Sequence, residues 1–220
     1  MKEIERNTTA ELIVQEIIED ITKGKLKPGD HLKEQELQVK LNTSRAPVRE
    51  AFRVLQSRDI IEYIPYCGVR VRNYSRKEIE NFYDVQTVLQ VYAAGLAAEN
   101  VTDKDISYLY QIIEKMEHLS NQDIAGFRIL DDKLHFYICK LSNNEAIAPV
   151  LNASFDHTLI VRNSSVQGKR TIKEAVAEHR GIVDALSTGD VKSVEKKMKE
   201  HQEKGKKSAL QFLEKYSQNI

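Results

Sequence analysis

Four side chains in the second half of the sequence have the chemistry and the spacing of a metal site. Asp131 and His135 are four residues apart, so on a helix they project from the same face about one turn apart. His179 and His201 lie on either side of a Ser-Thr-Gly-Asp turn at 187–190. In an antiparallel helix pair they reach nearly the same height, because each lies roughly ten to twelve residues from that turn.

Three imidazoles and one carboxylate that converge inside a helical bundle suit zinc, nickel or another borderline divalent ion. They also leave coordination positions for water or a ligand. Spacing alone leaves an ordinary interpretation open, in which the histidines are polar surface residues and Asp131 with Asp132 forms a solvated acidic turn. The remaining histidines fall outside the pattern and are interpreted as surface or packing residues: His31, His118 and His157.

A row of arginines marks a second candidate site. Arg45, Arg49 and Arg53 recur every four residues, and Ser44 is placed to cap their helix with its hydroxyl. The other side of the helix is apolar: Val48, Ala51, Phe52 and Leu55. Guanidinium groups on such a helix can reach DNA phosphates or the O6 and N7 atoms of guanine in a major groove. A solvated basic face is the alternative interpretation.

The segments around this helix predict a winged helix-turn-helix. Apolar residues at helical spacing indicate helices at 8–23 and 33–41, and Asn42-Thr43 then forms a tight turn into the arginine helix. Two β-prone runs within 60–71 flank Pro65-Tyr-Cys-Gly68, which predicts a hairpin. In this arrangement the third helix reads DNA and the hairpin tip lies near the backbone or minor groove.

The pattern changes after residue 73. Strand signals end and long amphipathic segments follow, which predicts an all-α antiparallel bundle of six or seven helices. We therefore expect two domains, a winged helix-turn-helix at 1–73 and an all-helical domain at 74–220. The helices of the second domain are predicted near 76–99, 102–119, 121–141, 144–164, 170–187 and 190–217.

The first third of the chain carries a dense series of motifs: Ile21-Thr-Lys-Gly24, Leu26-Lys-Pro-Gly29, Leu32-Lys-Glu34, Glu36-Leu37, Ser44-Arg45, Pro47-Val-Arg-Glu-Ala51, Leu55 and Gly68-Val-Arg-Val71. Over roughly residues 8–73 the series resembles the N-terminal DNA-binding domain of the GntR family of bacterial transcription regulators. The residues that the resemblance implies at the operator are Ser44, Arg45, Ala46, Arg49 and, at the wing tip, Gly68. We add Arg53 from the arginine row and Gln35, which stands where some members carry an arginine.

The helical region carries a second series: Asp131-Asp-Lys-Leu-His135, Asn144, Glu178-His179, Ala185-Leu-Ser-Thr-Gly-Asp190 and Glu200-His201. It resembles the FCD ligand-binding domain of the FadR subfamily, in many of whose members an aspartate and three histidines hold a metal. The resemblance implies that role for Asp131, His135, His179 and His201. It also implies a small-molecule effector, commonly an organic acid, at the metal.

One departure from the subfamily affects the effector. Gln86 and Gln90 stand on the first bundle helix where members commonly show arginine and glutamate, and an arginine there would favour a carboxylate or phosphate by a bidentate pair. Gln86 is therefore a candidate effector contact without the usual cation. Arg162 is a candidate for supplying that cation instead, with a surface position as the alternative.

Composition limits the remaining classes of protein. With 33 basic and 33 acidic side chains, the formal net charge of the 220 residues is +0, so only a locally basic surface can bind DNA. Two cysteines, Cys67 and Cys139, form no disulfide framework, and no apolar run or signal-peptide pattern indicates a membrane. We expect a cytoplasmic protein. A redox role for Cys67, at the wing, is left open.

Three functions fit these features. The first is a ligand-responsive transcription regulator, in the simplest case a repressor, which binds a pseudo-palindromic operator as a homodimer and an effector at a divalent metal. The second is a metal sensor in which the ion itself is the effector. The third is a metallohydrolase, although Glu178 and Glu200 are expected to point away from the ligands and no other general base is evident. We therefore expect a protein that is not an enzyme.

Overall fold

The computed structural model of the protein describes residues 8–164 and 170–217, without the side chains of 156, 157, 159–164 and 215–217. The chain divides into two compact units, residues 1–74 and 75–220. Each unit has its own core, and we describe each by itself. None of the described helices is both long and apolar enough to cross a lipid bilayer.

The described part of the first unit contains three helices and three short strands. These are α1 (Thr9–Thr22), β1 (His31–Leu32), α2 (Glu34–Lys40), α3 (Arg45–Ser57), β2 (Ile61–Ile64) and β3 (Gly68–Val71). The winged helix-turn-helix predicted from the sequence is thus confirmed. Strand β1 was not predicted, because two residues are too few to show a period. It pairs antiparallel with β3, and the sheet order is β1-β3-β2.

Local sequence accounts for how these helices begin and pack. Thr8 and Glu11 form a reciprocal capping box at the start of α1. The turn before α3 places Asn42 at φ 46, the left-handed conformation that asparagine tolerates. The side chains that form the core of the unit lie at helical spacing or alternate along strands: Ile13, Ile17, Ile21, Val48, Ala51, Phe52, Leu55, Ile61 and Val71. Helix α2 contributes no fully buried residue, and Leu37 and, just after the helix, Leu41 are half-buried.

The second unit is an all-α bundle, as predicted, with six helices in its described part. They are α4 (Arg76–Asn100), α5 (Asp103–Glu117), α6 (Ile124–Leu141), α7 (Ile147–Ser164), α8 (Ile172–Thr188) and α9 (Val191–Ser217). Helices α4, α5 and α8 each begin with a capping box, formed by Ser75 with Glu78, Thr102 with Asp105, and Thr171 with Glu174.

The helices that carry the candidate metal ligands are held by a shared apolar core. Helix α6 packs against α4, α5 and α7, and α9 packs along α4 and α8. The turn between α8 and α9 is closed by Gly189 at φ 69, a conformation that glycine adopts without strain. Fully buried side chains beside the ligands, such as Leu134, Ile182 and Met198, each stabilise this arrangement by about 1.5–3 kcal/mol.

Candidate metal centre and nucleic-acid interface

The four residues predicted as metal ligands lie together in the second unit. Asp131 and His135 come from α6, His179 from α8 and His201 from α9. All four are buried, and the ligand atom that each offers lies within 4.8 Å of the other three. The expectation that His179 and His201 reach the same height is met, since their ring centroids are 4.5 Å apart. The surface interpretation of these histidines is therefore wrong.

The shortest distances in this cluster join atoms that would compete for a proton in the absence of an ion. His179 Nε2 lies 3.3 Å from His135 Nε2 and 3.1 Å from Asp131 Oδ1. A neutral imidazole has one donor and one acceptor nitrogen, so a cation placed among these atoms would let both Nε2 atoms act as acceptors without competing for one proton. Ligands bound to one zinc ion at 2.0–2.1 Å lie about 3 Å from each other. The three-nitrogen, one-oxygen donor set thus fits a divalent ion.

The environment favours the protonation states that metal binding needs at two members of the cluster, Asp131 and His201. Burial alone would raise the pKa of Asp131, but hydrogen bonds with His135 and His179 and the charge of Arg128 hold that pKa well below its usual value. Burial, together with the nearby His179 and Arg170, lowers the pKa of His201 well below its ordinary value. The aspartate is therefore ionised and this histidine neutral, as required of metal ligands.

Charged residues around the cluster orient its members. The buried Arg128 donates to Asp131 Oδ2 at 2.9 Å and to Asp132 Oδ1 at 2.8 Å. Glu178 Oε2 lies 3.0 Å from His201 Nδ1. The expectation that Glu178 points away from the ligands is wrong. Its side chain points away from His179 on the same helix but contacts His201 on α9.

The contact with Glu178 suits the form of His201 that offers Nε2 to an ion. Arg170 also lies close to His201, with one guanidinium nitrogen 3.1 Å from Nδ1. Because an arginine only donates, the form of His201 that leaves Nε2 free carries the Nδ1 proton and donates it to Glu178. Such carboxylate–histidine pairs raise the basicity of a metal-ligating imidazole. His179 Nδ1, in contrast, is buried with no hydrogen-bond partner in the described structure.

A small cavity of about 30 Å³ adjoins the cluster. Two arginines, Arg128 and Arg170, and three glutamines, Gln86, Gln90 and Gln202, contribute to its wall. The candidate effector contact Gln86 is buried there, and its amide donates to Ser154 O and Thr158 Oγ1, which ties α4 to α7. The side chain of Arg162, the other candidate, lies outside the part of the chain that the structure describes.

The arginine row in the first unit is exposed on α3, opposite its buried apolar face. Arg45 and Arg49 have 64% and 58% of their side-chain surface exposed, and Arg53 is also exposed. Glu34 on α2 lies beside Arg45 and Arg49, a position that no sequence pattern indicated. Its carboxylate accepts from Arg49 Nε at 3.0 Å and lies 3.6 Å from Arg45 Nε.

The other residues predicted at the DNA lie around this row. Ser44, Ala46 and Gln35 are exposed. Ser44 is the N-cap of α3, but its side chain makes no capping hydrogen bond, so that expectation is wrong and the hydroxyl remains available to another acceptor or donor. Gly68 begins β3 at φ 90 and pairs with Ile64 across the hairpin. The tip itself presents Tyr66, fully exposed and at φ 66, a residue that sequence patterns did not indicate.

Comparison with known proteins gives the same division of the chain. Residues 9–71 match the family described as bacterial regulatory proteins, gntR family, and residues 81–204 match the FCD domain. A probable D-xylose utilization operon transcriptional repressor of Paenarthrobacter nicotinovorans is 27% identical over 201 residues, which cover 91% of this chain and 88% of that protein. The HTH-type transcriptional repressor RspR of Escherichia coli (strain K12) is 26% identical, with 90% and 87% covered.

Among solved structures, that of McbR/YncC from E. coli is similar throughout. It has a TM-score of 0.79 and 19% sequence identity, and the alignment covers 98% of this chain and all of the other. At this identity the likeness establishes the fold alone.

Proposed function

Because this chain belongs to the GntR family of bacterial regulatory proteins and carries an FCD domain, it is a transcription regulator, and we propose that it is a ligand-responsive repressor that binds a pseudo-palindromic operator as a homodimer. Several of its relatives are named as transcriptional repressors, two of them of operons. Bacterial DNA lies in the cytoplasm, and we propose that this regulator is located there.

The observation that carries the DNA-binding part of the proposal is the exposure of Arg45, Arg49 and Arg53 on a helix whose opposite face is fully buried. A rigid helix that presents a row of guanidinium groups can enter a major groove without disturbing its own domain. Selection of bound sequences from a random DNA library tests it. Two inverted half-sites about one helical turn apart, or a multiple of this, are expected, and enrichment of no sequence would contradict the proposal.

The homodimer is supported by an apolar stripe on α4. Val85, Val88 and Tyr92 are exposed and lie three and four residues apart, so they share one face of this helix. An isologous interface uses the same patch on both subunits. Sedimentation of Val88→Lys is expected to show monomers where the unaltered chain shows dimers. Ile129→Lys is the matched control, since Ile129 and Val88 are both 69% exposed but Ile129 lies on α6.

We further propose that a divalent ion, with zinc or nickel as the candidates, is held by Asp131, His135, His179 and His201. A bound ion would supply coordination positions for the oxygen atoms of an effector. The ligands come from three helices, so an effector that favours one arrangement of these helices can shift the regulator between states with different DNA affinity. Such coupling amounts to about 1–3 kcal/mol in typical cases.

A metal sensor is the second candidate, favoured by the size of the cavity. About 30 Å³ holds roughly one or two water molecules, and an ion is the only effector that fits without rearrangement. Metal elemental analysis combined with operator binding separates the two functions. If adding and removing the ion alone switches operator affinity, the ion is the effector. If the ion stays bound while affinity changes only with an added small molecule, the first proposal stands.

A further inference from the structure

One side chain separates the small cavity at the metal ligands from a much larger open space. A cleft of about 620 Å³ runs between α8 and α9, and among the residues that the structure describes, Arg170 and His201 border both the cleft and the cavity. His201 is one of the four candidate ligands. Arg170, immediately before α8, is therefore the movable part of this partition.

The two spaces differ in what they can hold. Sites for small organic molecules commonly measure about 300–1,000 Å³. The cleft falls within that range, whereas the cavity is an order of magnitude too small. A molecule that reaches the ion from the cleft must displace the guanidinium group of Arg170.

The contacts of Arg170 determine what can displace it. Its guanidinium group donates to Glu178 Oε2, and the two side chains are only 11% and 12% exposed. Removing one partner of a buried ion pair is strongly unfavourable, because the other charge is left without compensation. Exchanging one carboxylate for another avoids this, because the guanidinium group always has an anion.

The carboxylate that would be released also has a second partner in place. Lys204 Nζ lies 3.5 Å from Glu178 Oε1, and the Lys204 side chain is largely exposed. Glu178 can therefore turn towards Lys204 at the mouth of the cleft without becoming an isolated buried charge.

We propose that the cleft between α8 and α9 is the entrance for the effector and that Arg170 is its anion anchor. A carboxylate or related oxyanion takes the place of Glu178 on Arg170, Glu178 moves to Lys204, and the cavity becomes continuous with the cleft. This inference rests on the proposed function, in which a small molecule reaches the ion.

The exchange explains how the chain can select an anion although Gln86 stands where members of the subfamily commonly carry an arginine. The cationic side chains known to line the cavity are Arg128 and Arg170. Arg128 is committed to Asp131 and Asp132, which leaves Arg170 as the cation that can change partner. A neutral molecule would separate Arg170 from Glu178 without replacing its anion, and it is expected to enter more slowly for that reason.

The test compares how fast two chelators remove zinc from the zinc-loaded full chain. Dipicolinate carries two carboxylates, whereas phenanthroline is uncharged, and the ratio of their rates within one variant cancels changes in zinc affinity. The ratio is expected to fall in Arg170→Gln by about tenfold, comparable to the loss of one charge-assisted hydrogen bond. In Glu178→Gln, which frees Arg170 for the incoming anion, the ratio is expected to rise.

Lys197→Gln is the matched control, because Lys197 borders the same cleft but not the cavity. It removes one positive charge and is expected to leave the ratio unchanged. A ratio that is the same in Arg170→Gln and the unaltered chain would overturn the inference. So would an equal fall in Lys197→Gln, which would indicate general attraction of anions.

If the chain holds no zinc, the proposed metal centre is contradicted. A second measurement, made on the metal-free protein, then tests whether Arg170 controls access to the cavity. Diethyl pyrocarbonate modifies accessible imidazoles, and peptide mass spectrometry gives the rate at each histidine of the metal-free protein. His135 and His179 are expected to react faster in Arg170→Gln, relative to the exposed His118. Unchanged rates would overturn the role of Arg170, and circular dichroism establishes that each variant is folded.

Discussion

His135 and His179 face each other in the centre of the helical unit, with their Nε2 atoms 3.3 Å apart. They belong to different helices and are separated by 44 positions in the chain. An ion between them would join α6 to α8, and through His201 to α9. The proposed metal would therefore stabilise the bundle as well as provide a site for an effector.

His135→Ala is expected to abolish metal retention, because one of four convergent ligands is lost. In the unaltered chain, an ion that binds only the folded state stabilises it by about 2.7 kcal/mol when its concentration is 100 times Kd. The rise in the thermal midpoint on adding zinc should therefore disappear in the variant. Elemental analysis and calorimetry measure the two effects.

His118→Ala is the control for this experiment, since His118 is exposed at the end of α5. It should retain both the metal and the zinc-dependent rise. Normal metal content in His135→Ala would contradict the proposed ligand set.

Arg49→Ala is expected to weaken operator binding by about 1–3 kcal/mol, the usual value of a good contact to a base edge. The thermal midpoint and metal content should not change, because Arg49 is exposed and belongs to the other unit. Lys23→Ala removes another exposed positive charge, at the end of α1, and should change operator affinity much less. Fluorescence anisotropy with labelled operator measures the affinity of both variants. Equal losses of affinity would show that Arg49 contributes only its charge and not a specific contact to a base.

Glu34→Gln should separate affinity from specificity. The carboxylate of Glu34 holds Arg49 in one orientation and also repels DNA phosphates. Its loss is expected to strengthen binding to random DNA and to lower the ratio of operator to random-DNA affinity. Glu36 lies two residues further along α2 and pairs with Lys33, so Glu36→Gln, which removes the same charge, is the control. If the two variants have the same ratio, Glu34 does not position Arg49.

Tyr137→Phe should change the response of stability to alkaline pH. The Tyr137 hydroxyl donates to Asp105 Oδ1 at 2.7 Å, and this bond, with burial and the charge of Asp105, raises the pKa of Tyr137 to about 12. An unfolded tyrosine titrates near pH 10, so the stability that the bond contributes is complete below about pH 10 and is lost between about pH 10 and 12.

The free energy of unfolding of the unaltered chain should therefore fall more steeply over this interval than that of Tyr137→Phe. Asp105→Asn, which removes the charge of the acceptor, should remove the same dependence. Denaturant titrations at several pH values provide the measurement. Parallel curves for all three proteins would show that the bond does not persist in solution.

Periodic features of the sequence predicted most of the fold. Helices α4 to α9 were located to within a few residues, because they are long, amphipathic and separated by polar breaks. The convergence of the four candidate ligands was expected because the turn between α8 and α9 sets the relative height of His179 and His201, and their role as ligands stays a prediction. Strand β1 was missed, because its two residues are ordered by pairing with β3 and not by their own pattern.

The residues missed at the candidate sites are charged residues that act across helices. Glu34, Glu178 and Arg170 resemble ordinary solvated side chains in the sequence. Their roles depend on which side chain of a neighbouring helix lies within a few ångströms, and sequence spacing does not contain that distance. The orientation of the Glu178 side chain was mispredicted for this reason, since helical spacing relates Glu178 to its neighbours on α8 and not to His201 on α9.

The distribution of the ligands along the chain has a consequence for newly made molecules. All four lie between residues 131 and 201, beyond the whole of the winged unit. Domains fold as units during synthesis, the N-terminal one first. A nascent polypeptide can thus complete its DNA-binding unit while the ribosome is still translating α9, and the proposed metal site is completed only afterwards.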